Sequence, residues 1–250
     1  MERPIWVHSI GGDTDTILTA IRASLEYAGF VTTPLEPSSS TGTGVLVITV
    51  SGNTIPDSIE QFVAEASDGG EHRLLVLLSG VQGVSDASWR LLHAGASEVL
   101  RWEETDEPAA QVLIRILRWN QIDEIVSSLP ATYGLVGTSP VWRNLLRRVV
   151  EAAYFTNVSM LLLGETGTGK EELARLIHDL DTRTNKGSLV LLDCTTVVPE
   201  LAGSEFFGHD RGAFTRADSP RDGAFALANG GTLFLDEIGE LPTPLQAQPL

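Results

Sequence analysis

The chain has 250 residues, 42% of them hydrophobic and 20% charged, which suits two domains of ordinary size, each able to build a core. Its 33 acidic and 17 basic side chains give a formal net charge of −16, a surface that repels phosphate backbones and shows no basic footprint for nucleic acid. Cys194 is the single cysteine, so no intrachain disulfide is possible; with no signal-peptide run and no stretch near the roughly 20 apolar residues of a membrane span, a cytoplasmic protein is expected. The acid is uneven: residues 1–130 hold 18 acidic and 7 basic side chains, and residues 131–250 hold 15 and 10, so anionic ligands are better tolerated in the second half. The five histidines, at 8, 72, 93, 178 and 209, show no metal-ligand spacing.

In chain order, the first half alternates short apolar runs with amphipathic stretches. Ile5–His8, Val45–Val50, Leu74–Leu78 and Glu98–Leu100 read as strands, several near-continuously apolar, as in a parallel sheet covered on both faces. Ile17, Leu18, Ile21 and Leu25 mark one face of a helix that Asp13 or Asp15 could cap and Gly29 would stop. Val31–Leu35 is a possible further strand, and the segment from Pro37 to Gly44 has loop chemistry. A long helix opens at Asp106-Glu107-Pro108 and carries Val112, Leu113, Ile116, Leu117, Ile122 and Ile125 as an apolar stripe. It should run to about Ser128, with Pro130 ending it. It could be a signalling helix between domains or simply the last core helix of the first.

This strand–helix order, with Ala94-Gly95-Ala96-Ser97-Glu98-Val99-Leu100 leading into the last strand, resembles the receiver domain of response regulators over about residues 4–125. The resemblance implies a flavodoxin-like α/β domain over residues 1–128, linker helix included. The family's acidic pair after strand one is replaced here by Ser9, Gly11 and Gly12, and its phospho-acceptor position by Thr49, Val50 and Ser51. Without convergent carboxylates no Mg²⁺ site can form there, so the domain reads as one that takes no phosphate.

Residues 129–250 form the second expected domain. Gly164-Glu165-Thr166-Gly167-Thr168-Gly169-Lys170-Glu171 lies between an apolar run, Val158–Leu163, that reads as a strand, and a helical stretch, Glu172–Leu180. That is the context of a P-loop: glycines let backbone N–H groups converge on phosphate oxygens, the helix dipole adds positive potential, and Lys170 supplies a charge for the β- and γ-phosphates of ATP. The chain has only one other lysine, Lys186. Glu171 stands where a general P-loop has the Ser/Thr that binds Mg²⁺, so the metal must lean on another carboxylate. Thr232-Leu-Phe-Leu235-Asp236-Glu237 provides it, an apolar strand tipped by two acids of the Walker B kind, with Asp236 for Mg²⁺ and Glu237 to polarise the attacking water.

Between these motifs stands Gly212-Ala213-Phe214-Thr215-Arg216-Ala217, which matches five of six positions of the Gly-Ala-Phe-Thr-Gly-Ala loop of the sigma-54-dependent activators. A glutamate after the P-loop lysine and a Leu-Val-Gly opening, here Leu135-Val136-Gly137, are also usual in that family, and the resemblance runs over about residues 133–248. It implies an AAA+ α/β ATPase domain in a homo-oligomeric ring, Val136 and Gly137 lining the adenine pocket, and a loop that offers Phe214 and Thr215 to sigma-54 RNA polymerase. Arg216 replaces the loop's second glycine and adds a bulky cation there. Asp193 stands where the family has an Asn that holds the catalytic glutamate, and it would repel Glu237. The family's sensor residues, arginine finger, helical lid and DNA-binding element would lie beyond Leu250, so an incomplete domain with weak or absent hydrolysis and no DNA-binding element is expected. Two functions stay open at this point: an ATPase that remodels sigma-54 polymerase, or a non-hydrolysing ATP-binding module that joins or inhibits a complete homologue's ring.

Overall fold

A computed structural model describes residues 4–11, 15–34, 44–52, 55–56, 58–81, 84–102, 107–211 and 219–241. The chain divides into two compact units, Met1–Arg147 and Arg148–Leu250.

The first unit is a five-stranded, wholly parallel sheet in the order β2-β1-β3-β4-β5, the flavodoxin-like order. Its strands are β1 (Ile5–Ile10), β2 (Thr32–Pro34), β3 (Val45–Ser51), β4 (Arg73–Ser79) and β5 (Glu98–Arg101). All the strands expected in the first half are present, Val31–Leu35 among them as the short β2, Thr32–Pro34. The central strands are covered on both faces: six consecutive residues of β3 and six of β4 are buried, as a parallel sheet under helices requires. Leu46, Ile48 and Val50 of β3 join Leu74, Val76 and Leu78 of β4 in one core. Ile59 and Val63 of α2 (Ser58–Ser67) and Leu91 of α3 (Val84–Ala94) close it.

Elsewhere in this unit α1 (Asp15–Tyr27) buries Ile17, Ile21 and Leu25, and the chain turns at Gly29 with φ +89°. Its neighbour α4 runs Pro108–Tyr133, past the expected stop. Pro130 lies inside it, and the left-handed Gly134 (φ +66°) follows as the C-cap. Proline removes one helical N–H, but Val126 and Leu129 in the turn just before it are buried and anchor that turn, and the helix runs on to Tyr133. The buried stripe is Val112, Ile116, Trp119, Ile122, Val126 and Leu129; Leu117 is about half exposed. The helical repeat therefore selects Trp119, Val126 and Leu129 where the sequence pattern suggested Leu113, Leu117 and Ile125.

The second unit contains a two-stranded parallel sheet of β6 (Leu189–Asp193) and β7 (Thr232–Asp236), in register so that Asp193 stands beside Asp236. Its helices are α6 (Lys170–Leu180), α7 (Ala202–Phe207) and α8 (Ala224–Leu227). The helix α5 (Pro140–Phe155) begins in the first unit and ends in the second. Val158–Leu163 is not a strand: the segment makes no ladder, and Val158, Leu161 and Leu163 are well exposed. A strand is defined by the neighbour it bonds to, and among the described residues none lies alongside this one.

Candidate functional site

In a sheet of the first unit's order, ligands bind outside the strand carboxyl ends, at the crevice where the order reverses between β1 and β3. Among the described residues the two strand ends close on one another there. Gly11 follows β1 at φ +107°, and a Cβ on it would come within 2.2 Å of the Ser51 carbonyl oxygen at the end of β3. Thr49 is fully buried, and its hydroxyl donates to the His8 carbonyl at 3.4 Å. Burial also holds the His8 imidazole below its usual pKa, and the ring stacks on Phe62 at 4.9 Å. Gly12 lies outside the described residues.

The second unit is open where the first is closed. α6 starts at Lys170 directly after Gly169, whose φ of +87° only glycine adopts cheaply; Gly167 does the same at φ +79°. Those two turns set the N-terminus of α6 behind the loop. Gly164 meets Thr168 closely, since a Cβ there would lie 2.8 Å from the Thr168 hydroxyl, which itself donates to the Glu165 carbonyl at 2.8 Å. Lys170 Nζ folds back over the loop and donates to the carbonyls of Gly164 (3.1 Å) and Glu165 (3.2 Å).

Glu237 approaches from β7. Its Oε1 lies 3.5 Å from Lys170 Nζ and 3.5 Å from the Thr166 hydroxyl, long contacts that join the loop to the acid-tipped strand. The backbone of Glu237 is left-handed (φ +48°, ψ +47°), an uncommon state for a non-glycine residue. Strain of this kind concentrates where a side chain must be aimed. Asp236 accepts the Glu237 amide at 3.0 Å, which steadies the turn. Glu171 turns along α6 to Arg175 at 2.5 Å, away from the loop. The structure thus brings Lys170, Thr166 and Glu237 together.

Asp193 ends β6 beside Asp236, but its carboxylate is spent locally. It accepts from the Thr195 hydroxyl at 2.7 Å and from the Thr195 amide at 2.9 Å, and these two bonds hold it below the usual carboxylate range. Asp-Cys-Thr is a capping pattern legible in the sequence itself. Cys194 is buried, and burial followed by the neighbouring Asp193 and Asp236 pushes its thiol up, so it behaves as a core residue.

A cavity of about 750 Å³ opens between the segment after α5 and β7, floored by α6. Lys170, Asp236, Glu237, Arg183 and Asp181 are among its charged lining residues. Two contacts stiffen that floor. His178 of α6 bonds the Thr232 hydroxyl of β7 at 3.0 Å, and burial, then Lys186, lowers its imidazole. Lys186 Nζ donates to the carbonyls of His178 (2.7 Å) and Asp179 (3.2 Å), capping the helix end that a cation favours.

The expected partner loop, Gly212, Ala213, Phe214, Thr215, Arg216 and Ala217, lies outside the described residues. Its stem is described. His209 and Arg221 pair as an antiparallel bridge, each amide donating to the other's carbonyl at 3.0 Å, and Arg221 reaches Glu205 at 3.1 Å. Gly223 must be glycine there, because a Cβ would lie 2.3 Å from the Gly208 amide. Val136 and Gly137 fall in the first unit; Val136 is exposed and Gly137 packs on Trp142.

A glycine-rich loop thus leads into the start of α6 opposite the acid-tipped parallel strand β7. Residues 135–250 match the family model described as the Sigma-54 interaction domain. Over 127 residues it is 42% identical to the transcriptional regulatory protein ZraR of Salmonella typhi, an alignment covering 51% of this chain and 28% of that protein. The Nif-specific regulatory protein of Bradyrhizobium diazoefficiens is 48% identical over 118 residues, 47% of this chain and 20% of that protein. The transcriptional regulator VasH of Vibrio cholerae is 35% identical over 194 residues, 72% of this chain and 35% of that protein. The chain thus matches well under half the length of each of these curated relatives. No helix among the described residues is long and apolar enough to cross a membrane.

Proposed function

We propose that this chain binds ATP through the Gly164–Lys170 loop and serves transcription regulation by engaging sigma-54 RNA polymerase. The observation that carries the reading is the meeting of Lys170, Thr166 and Glu237 at the start of α6, beside a 750 Å³ cavity. Cations and helix-start amides favour anions, and the Glu237 carboxylate beside Lys170 takes a position that an anionic ligand would compete for. Phosphates entering the loop would draw Lys170 away from the Gly164 and Glu165 carbonyls and release Glu237 to polarise a water. Asp236 is the carboxylate placed to hold Mg²⁺, which is usually bound by one or two carboxylates with the nucleotide's own phosphates, so this sparse donor set fits. The metal would neutralise phosphate charge there. The partner is carried by the family description and by the Gly212–Ala217 motif, and ring assembly by resemblance.

Titration of a fluorescent ATP analogue with Mg²⁺ tests the reading. Lys170→Ala should weaken binding by roughly 10-fold to 100-fold, the span of a charge-assisted hydrogen bond to phosphate. Equal affinities in the two proteins would refute nucleotide binding at this loop.

A further inference from the structure

The first unit holds a buried ionic junction that neither the closed crevice nor the phosphate loop uses. Arg73 opens β4, Asp123 sits in the middle of α4, and Arg147 lies on α5; each is more than nine-tenths buried. Arg147 Nε donates to Asp123 Oδ1 at 2.7 Å, and Nη1 donates to the Gly70 carbonyl at 3.2 Å and to Asn144 Oδ1 at 3.0 Å. Arg73 reaches the same Asp123 oxygen at 3.6 Å, with its guanidinium 5.2 Å from the Trp119 ring centre. At the rim Arg143 pairs with Glu71 at 3.1 Å. Gly70, at φ +95°, lets the turn after α2 touch α5 directly: a Cβ there would come within 2.0 Å of Asn144 Nδ2.

These contacts tie the first turns of α5 to α4 and to the turn after α2, and through Asp123 to Arg73 at the amino end of β4. A buried ion pair adds little net stability over an apolar pair, but breaking it is costly, so its best-attested use is to select one arrangement. The arginine fork, with three acceptors, permits only one seat. α5 then continues unbroken to Phe155, burying Val149, Val150 and Ala153 after the junction. We propose that the Asp123–Arg147 pair, seated on Gly70, is a conformational latch that selects one seat for the start of α5 on the first unit.

Amide hydrogen exchange on the whole 250-residue chain tests this. Arg147→Met should speed exchange across residues 144–155 by roughly tenfold or more while β3 and β4 stay protected. Arg147→Lys, which keeps a cation for Asp123 and loses the fork, should fall between. Faster exchange confined to residues 144–147, or none, would overturn the latch. Gly70→Ala leaves every charge in place and should reproduce the Arg147→Met pattern. Loss of β3 and β4 protection in both variants would show that the junction merely belongs to the core, and would overturn the proposal as well.

Discussion

At the carboxyl ends of its strands the first unit presents Thr49 fully buried and Gly11 pressed on the Ser51 carbonyl. At the same end of its sheet the second unit presents Asp193 and Asp236 side by side, Glu237 in a left-handed turn, and an open cavity. Both units are parallel sheets with helices between the strands, so topology alone puts a crevice in each. What separates them is burial and chemistry. The residues of β3 and β4 are sealed on both faces, whereas every residue of β7 is only half-buried. A parallel sheet offers a place for a site; side chains that need water or an anion, and glycines that let backbone approach, turn the place into one.

The largest effect should come from forcing the missing acid into the closed crevice. The Thr49 hydroxyl donates to the His8 carbonyl, and an ionised carboxylate cannot donate. Thr49→Asp should therefore destabilise the first unit by on the order of 3–5 kcal/mol in urea. Neither it nor the parent chain should gain a phosphoryl adduct from acetyl phosphate and Mg²⁺. A stable single-phosphate adduct mapped by mass to residues 4–125 would break the comparison, since it would make the first crevice a working site.

A smaller effect separates the two sheets. Leu75 of β4 is completely buried, and Leu75→Ala should cost about 3 kcal/mol in the urea transition of its unit. Leu191 of β6 is 37% exposed, and Leu191→Ala should cost less than about 1.5 kcal/mol. Equal costs would mean that β6 is as enclosed as β4.

The smallest effect concerns ion pairs. Asp181 in the second unit is paired with Arg183, whose hydrogen bonds hold the carboxyl down at about 2. A depressed carboxylate contributes stability that is present above its unfolded pKa, near 4, and is lost as pH falls through about 2. Because the Arg183 end is solvent-exposed, screening leaves that contribution small. Asp181→Asn should thus change stability slightly at pH 7 and not at all near pH 1.5, with the Asp181 carboxyl titrating near 2 by NMR. Titration near 4 would show that the pair is not held in solution.

Much of this molecule was determined by sequence alone. Apolar runs placed the strands of the first unit, because burial on both faces demands consecutive hydrophobic residues. Gly164 to Lys170 and the pair Asp236-Glu237 marked the second unit's site, because backbone approach to phosphate and charge on it need those residue types within a few positions. Tertiary structure alone decided the rest. α4 runs past Pro130 because buried Val126 and Leu129 anchor the turn that precedes the proline, and Val158–Leu163 pairs with nothing among the described residues because a strand exists only beside another. Glu237 reaches Lys170 from 67 residues away, and Asp123 meets Arg147 across 24 and Arg73 across 50. No local pattern encodes such meetings: a charged side chain reads as surface in the sequence until the fold buries it against its partner.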